Sequence, residues 1–128
     1  MPLRNRPLTK LELMTTRRVI AENIDERSFM QLVIETAKWN GWQVFHPRTV
    51  RLDSGRHLTA YQGDAGFPDL VLAHEKAGVI FAELKTQKGK PSTSQQLWRL
   101  NLESGGAEYH LWRPSDWWSI EKRLRETR

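Results

Sequence analysis

The chain has 128 residues and a mass of 15.0 kDa, enough for one domain around one hydrophobic core. Hydrophobic residues at 38%, charged residues at 27% and an absence of cysteine exclude a disordered tail, a disulfide scaffold and a thiolate metal site, and no apolar run approaches a membrane span. Twenty Lys and Arg against fifteen Asp and Glu give a net charge of +5 and a pI near 9.9, which favours an acidic partner such as nucleic acid but also serves plain solubility. In chain order, residues 1–22 form a basic extension with Arg4, Arg6, Lys10, Arg17 and Arg18 against Glu12 and Glu22. It suits a basic arm on nucleic acid or a frayed or partner-packed extension, and a short helix within Thr9–Glu22 fits its pattern. Its start, MPLRNRPLTKLEL, lacks the apolar stretch of a secretory signal, so a cytoplasmic location is expected.

Residues 23–128 are expected to form a single domain. Phe29, Leu32, Val33, Thr36 and Ala37 recur at helical spacing from Glu26 to Trp39. Asp25 or Asn23 can cap the start, and Asn40-Gly41 the end. WQVFH (42–46) has the composition of a strand, and 47–66 that of a long polar loop with some irregular pairing. DLVLA (69–73) and VIFAELK (79–85) are apolar on both faces and should be central, buried strands about a turn at 74–78. KTQKGKPSTS is a basic loop leading into a helix at 93–104 with a Ser or Thr cap. Gly105-Gly106 ends that helix, AEYHLW (107–112) is a fourth strand, and Ser115 is placed to cap a last helix through Arg125. The order is α-β-β-β-α-β-α.

The carboxylates carry the chemistry. Alternation along 79–85 puts Val79, Phe81, Glu83 and Lys85 on one face and Ile80, Ala82 and Leu84 on the other. Two charges therefore end a buried strand, where an unpaired charge costs several kcal/mol. If 74–78 closes a tight hairpin with Ala73 opposite Val79, Asp69 falls opposite Glu83, with Cβ atoms roughly 4.5–5.5 Å apart. Two such carboxylates repel unless one is protonated or a cation lies between them. Mg²⁺ suits the pair, because it takes oxygen ligands and is held by one or two carboxylates plus phosphate. The Leu84 backbone carbonyl is a further candidate ligand, and Lys85 can meet a phosphate or activate a water. A frayed Glu83–Lys85 surface pair is the plain alternative, and it leaves Asp69 unexplained. At about 100° per residue, Glu26 shares the stripe of Phe29, Val33 and Ala37 and faces the sheet. It can join the metal site or simply favour the helix N-terminus.

Quoted together, Glu26, GFPDL (66–70), ELK (83–85), and Ser92 with Gln95 in STSQQLW resemble the PD-(D/E)XK nuclease superfamily. Within it they look most like the virus-type replication–repair nuclease (VRR-NUC) branch, particularly its small stand-alone phage members. The resemblance covers residues 25–125 and leaves 1–22 outside. It implies an α/β fold with a PD-(D/E)XK (restriction-endonuclease-like) core. Its elements run αβββαβ with an extra C-terminal helix, around a mixed central sheet flanked by helices. It also implies that Glu26, Asp69 and Glu83 bind metal, that Lys85 is the active-site lysine and that Gln95 is the helix glutamine, orienting Lys85 or a phosphate. The expected activity is Mg²⁺-dependent hydrolysis of phosphodiester bonds in branched DNA, with Mn²⁺ substituting. The expected enzyme is a homodimer like the Holliday-junction resolvases, in recombination or repair. A monomeric flap or nicking nuclease and a DNA-binding module with a fossil site are the alternatives.

Several residues beside these motifs are candidates for DNA backbone contacts. They are His46, Arg48 and Ser92, with Lys88 and Lys90 better placed by position, while Arg51, Arg56 and His57 are as well explained by a solvated loop. His46 also suits a satisfied half-buried histidine, and His110 a structural one. Of the six tryptophans, Trp39, Trp42, Trp98 and Trp112 are expected in core packing. Adjacent Trp117 and Trp118 cannot share one helix face, so one of them should be exposed or in an interface.

Overall fold

The stripe of Phe29, Val33 and Ala37 becomes the buried face of helix α1 (Glu26–Trp39). Asp25 caps it by accepting from the Ser28 N–H at 2.7 Å. Gly41, at φ 87°, turns the chain out of the helix in a left-handed conformation. The computed structural model describes residues 6, 7, 9–13, 15, 23–47, 49–59 and 62–126. The strands are β1 (Gln43–Phe45), β2 (Thr49–Arg51), β3 (His57–Thr59), β4 (Leu70–His74), β5 (Gly78–Leu84) and β6 (Glu108–Trp112). Helix α2 (Thr93–Ser104) crosses from β5 to β6, and α3 (Trp117–Arg125) closes the chain.

The main sheet has the order β1-β4-β5-β6. β1 and β5 each run antiparallel to β4, while β6 runs parallel to β5, as the α2 crossover requires. Registers Leu70↔Ala82 and Leu72↔Ile80 align the apolar side chains of β4 and β5 on one face. There Leu70, Leu72, Ile80, Ala82 and Leu84 form the core with Phe29, Val33 and Ala37 of α1 and Ile120 and Leu124 of α3. Each large side chain fully buried this way contributes about 1.5–3 kcal/mol before entropy. The opposite face carries the row Phe45, Val71, Phe81, Tyr109. It is covered much less well, since Phe45 is 61% and Val79 48% exposed and α2 buries no residue fully.

β4 and β5 are thus central, but sealed on one face instead of both as expected. Helices α1 and α3 close the core on the inner face, while α2 packs at the β6 side of the outer one. The polar stretch 47–66 holds a separate two-stranded antiparallel hairpin, β2–β3, turned through Leu52–Arg56 with the Leu52 N–H donating to the Arg56 carbonyl. Trp39 is 90% exposed, because it lies about 200° round the helix from Ala37 and so off the buried stripe. Trp42 and Trp112 are buried, Trp98 is partly covered, and of the adjacent pair Trp118 is the exposed one. Ser115 does not cap the last helix. Pro114–Asp116 form a 3-10 turn first, α3 starts after Asp116, and the Asp116 carboxylate accepts from the Arg113 N–H. In the extension, residues 10–13 are helical, Thr9 and Glu12 cap each other reciprocally, and Arg6 pairs with Glu12. Most of the basic arm lies outside the described residues.

Candidate active site

The β4–β5 hairpin holds Ala73 opposite Val79 and Leu70 opposite Ala82, a register that carries Asp69 opposite Glu83. Asp69 sits just before β4, and its Oδ2 accepts from the Leu84 N–H at 2.8 Å, which turns its carboxylate toward the end of β5. Glu83 is 1% exposed. Its Oε1 accepts from Gln95 Nε2 at 3.2 Å and lies 3.8 Å from Lys85 Nζ. Among the described residues, its Oε2 is buried with no hydrogen-bond donor facing it; only a protonated Glu83 could bond the Asp69 carboxylate, by donating to it. Burial first, and then the Asp69 carboxylate, push the Glu83 carboxyl up to about 9; Lys85 offsets this only in part, and Glu26 adds to it. This chain therefore holds a buried carboxylate whose charged form it leaves short of positive charge.

Gln95 is fixed at both ends. Its backbone N–H donates to the Ser92 hydroxyl while its Oε1 accepts from the Ser92 N–H, a capping box at the start of α2. That leaves Nε2 to reach Glu83. Among the described contacts its partner is thus Glu83, where Lys85 or a phosphate was expected. A glutamine in a capping box points back across the helix start, here toward the end of β5. His46, just after β1, has Nδ1 2.7 Å from the Asp69 carbonyl. A carbonyl only accepts, so Nδ1 carries a proton. Glu26 lies in the first turn of α1, exposed, and reaches Glu83 through its charge. Among the described residues, no group of three or more His, Asp and Glu side chains closes around an ion position. Lys88, Lys90 and Ser92 are exposed. Arg48 and the side chains of Arg51 and His57 lie outside the described residues, and Arg56 is exposed at the hairpin turn.

Three residues that the sequence does not single out as site residues support the neighbourhood. Gly66, at φ 93°, lies so close to the first turn of α2 that a Cβ there would stand 2.5 Å from the Ser94 carbonyl carbon and 2.7 Å from the Gln95 nitrogen. Trp98 Nε1 donates to the Asp64 carbonyl at 3.3 Å, and its ring meets the edge of Phe67 at 5.0 Å, so the segment before Asp69 is docked on α2. Arg113 Nη1 donates to the carbonyls of Thr86 at 2.6 Å and Gly89 at 2.7 Å, pinning the basic loop that follows Lys85. Glycine in a GFPD run is a visible signal of close backbone approach. Nothing in the local sequence marks Arg113, whose partners are carbonyls 24 and 27 residues away.

The donor set suits a hard divalent cation. Glu83 Oε2 is an orphaned buried oxygen, Asp69 supplies a second carboxylate beside it, and oxygen ligands are those Mg²⁺ prefers. Such an ion would be held by Asp69 and Glu83. Neither a protein-family model nor a curated protein sequence matches the chain. Among solved structures it is similar to a VRR_NUC domain, with a TM-score of 0.55 at 20% identity over 79% of this chain and 95% of that chain. Together with the mixed four-stranded sheet flanked by helices, this likeness shows that the chain has the fold of a VRR_NUC domain.

Proposed function

We propose that the chain is a divalent-metal-dependent endodeoxyribonuclease that hydrolyses phosphodiester bonds in branched DNA, acting as a homodimer on four-way junctions. The observation that carries the reading is the buried Glu83 carboxylate, faced by Asp69 and lacking a donor to Oε2 among the described residues. Asp69 and Glu83 would hold Mg²⁺ or Mn²⁺, and Glu26 and the Leu84 carbonyl are the further ligands this reading proposes. A bound divalent ion supplies an acidified water as nucleophile and a counter-charge to the phosphate. Gln95 keeps Glu83 Oε1 in place. Lys85, anchored by its backbone N–H to the Trp112 carbonyl, offers its ammonium to the charge that develops on the phosphoryl oxygens. Lys88, Lys90, Ser92 and His46 are the proposed contacts to the DNA backbone, with Arg48 a candidate from the sequence alone, consistent with the net charge of +5.

The dimer is supported by exposed apolar side chains on α2 and on the outer sheet face. Leu97 and Leu100 of α2 are 59% and 61% exposed, and Phe45 and Val79 open the outer sheet face. A two-fold dimer brings two sites into the symmetry of a four-way junction, where paired cuts need two active sites. The deciding experiment is cleavage of a labelled four-way junction and a matched linear duplex, with Mg²⁺, Mn²⁺ or EDTA, by wild type and Glu83→Ala. Paired symmetric cuts in the junction alone, lost with EDTA and with Glu83→Ala, are expected. Cutting of flaps or plain duplex, or a clean monomer on sizing, would discard the resolvase and keep the nuclease. Tight junction binding without cutting in either metal would leave a DNA-binding module.

A further inference from the structure

We propose that Gly66 is a positioning residue for the cation site, seating the segment before Asp69 against the first turn of α2 so that Gln95 reaches Glu83. The inference rests on the nuclease reading above and adds a residue to it. Asp69 directly precedes β4 and Glu83 lies in the neighbouring β5, but the group that holds Glu83 Oε1 comes from α2. Some contact must therefore set the distance between α2 and the end of β5. Gly66 supplies it at backbone level: its missing side chain leaves the Ser94 carbonyl oxygen 2.6 Å and the Gln95 nitrogen 2.7 Å from where a Cβ would stand. No real Cβ sits that close to backbone, so any side chain at 66 must displace the loop or the helix start.

The neighbouring contacts hold the same junction. Trp98 Nε1 donates to the Asp64 carbonyl, and Phe67 lies edge-on between the Trp98 and Phe81 rings at 5.0 and 6.1 Å. Pro68, fully buried, and then Asp69 follow directly. A positive φ of 93° at Gly66 is a second reason for glycine, because side chains seldom adopt that conformation. Gly66 is thus linked forward to Asp69 through two residues and across to Glu83 through Gln95, so one close approach sets both carboxylates.

The test is Mn²⁺ binding without DNA, followed by electron paramagnetic resonance, for wild type, Gly66→Ala, Gln95→Ala and the double variant. Wild type should bind, and each single variant should bind about tenfold more weakly. The double variant should be no weaker than the weaker single, because both act through one contact. Additive losses, or undiminished binding by Gly66→Ala, would overturn the proposal. An absence of Mn²⁺ binding by wild type would instead sink the nuclease reading beneath it. If Gly66→Ala fails to fold, Trp98→Phe removes the adjacent bond to Asp64 while keeping the ring. A threefold weakening there supports the junction as the positioning device, and unchanged affinity overturns it.

Discussion

Two glutamates on neighbouring strands of one sheet have opposite fates. Glu108, aligned with Ile80 at the start of β6, receives Arg123 through two bonds, Nε to Oε2 at 2.7 Å and Nη2 to Oε1 at 2.9 Å. His110 adds a third at 2.8 Å. Arg123 first, and then the His110 hydrogen bond, hold the Glu108 carboxyl below its ordinary range. Arg123 also donates to the Ala77 carbonyl and lies over the Trp42 ring at 5.2 Å, joining α3 to the sheet. Glu83 is buried more deeply, meets a second carboxylate, and has one lysine at 3.8 Å. Where an arginine binds the carboxylate through two bonds, the carboxylate fastens the fold; where one lysine at 3.8 Å is set against a second carboxylate, it is left short of positive charge, as the proposed cation site requires.

The sharpest break of this comparison is Glu83→Gln, which keeps the shape and can never ionise. Cleavage should fall on the order of a thousandfold, about 4 kcal/mol in the barrier. The same variant should be more stable than wild type at pH 7 in EDTA by on the order of 1–3 kcal/mol, because it removes the cost of a carboxyl whose pKa is raised. Saturating Mg²⁺ should narrow the gap, since it binds wild type only. Urea unfolding of both proteins with and without Mg²⁺ measures each effect, and a wild type that is the more stable in EDTA would undo the contrast. Arg123→Met should act in the reverse sense. It should cost about 2–3 kcal/mol of stability, less than a fully buried pair because Glu108 keeps a third of its side chain exposed. Cleavage per folded molecule should be unchanged. Adding Glu108→Gln to Arg123→Met should recover part of the loss.

The two sites also predict opposite pH dependences. Glu83 titrates near 9 when folded against an ordinary 4.5. Between those values the folded state binds the extra proton, so this group lowers stability as pH rises from 4.5 to 9. The advantage of Glu83→Gln over wild type in EDTA should therefore widen across that window, by at most about 1.4 kcal/mol per pH unit. Glu108 is shifted downward. Its contribution is fully present above its ordinary value of 4.5 and is lost as the pH falls through the folded value. Glu108→Gln should thus be weaker than wild type at neutral pH and converge on it in acid. Unfolding curves from pH 3 to 9 would distinguish the two.

Much of the Glu83 half of this comparison was legible in the sequence, and little of the Glu108 half. Period-two alternation in VIFAELK and a short turn fix a register, so Asp69 opposite Glu83 could be derived from residues 69–85 alone. Helical periodicity likewise gave Phe29, Val33 and Ala37. Gln95 was visible as a residue of interest, but its partner depended on how α2 crosses the sheet. The coverage of the outer face was misjudged because apolar alternation does not say whether a helix lies over a strand. Trp39 was misplaced by composition taken without its angle on the helix. Arg123 and Arg113 were invisible because their partners lie far away in sequence, at Glu108 and Ala77 for one and in the 86–89 loop for the other. Such pairs depend on packing, which no local pattern encodes.

Arg113 supplies the smallest and most discriminating prediction. It is a cation two residues beyond Leu111, the β6 partner of Glu83, yet its Nη1 is occupied by the carbonyls of Thr86, Gln87 and Gly89. It shapes the loop that carries Lys88 and Lys90. Arg113→Met keeps the aliphatic stem and removes these donors. The loop retains its bond from the Ser115 N–H to Gln87 Oε1, and Lys85 retains its backbone bond to Trp112, so Lys85 should stay in place while the loop loosens. Junction affinity should fall about three- to tenfold, on the order of 1 kcal/mol. The salt dependence of binding should lose about one phosphate contact. Mn²⁺ affinity without DNA should be unchanged. Fluorescence anisotropy across a salt series reads the first two, and paramagnetic resonance the third. Weakened Mn²⁺ binding in Arg113→Met would mean that Arg113 tunes the carboxylates themselves, and that the chain does supply Glu83 with part of its missing positive charge.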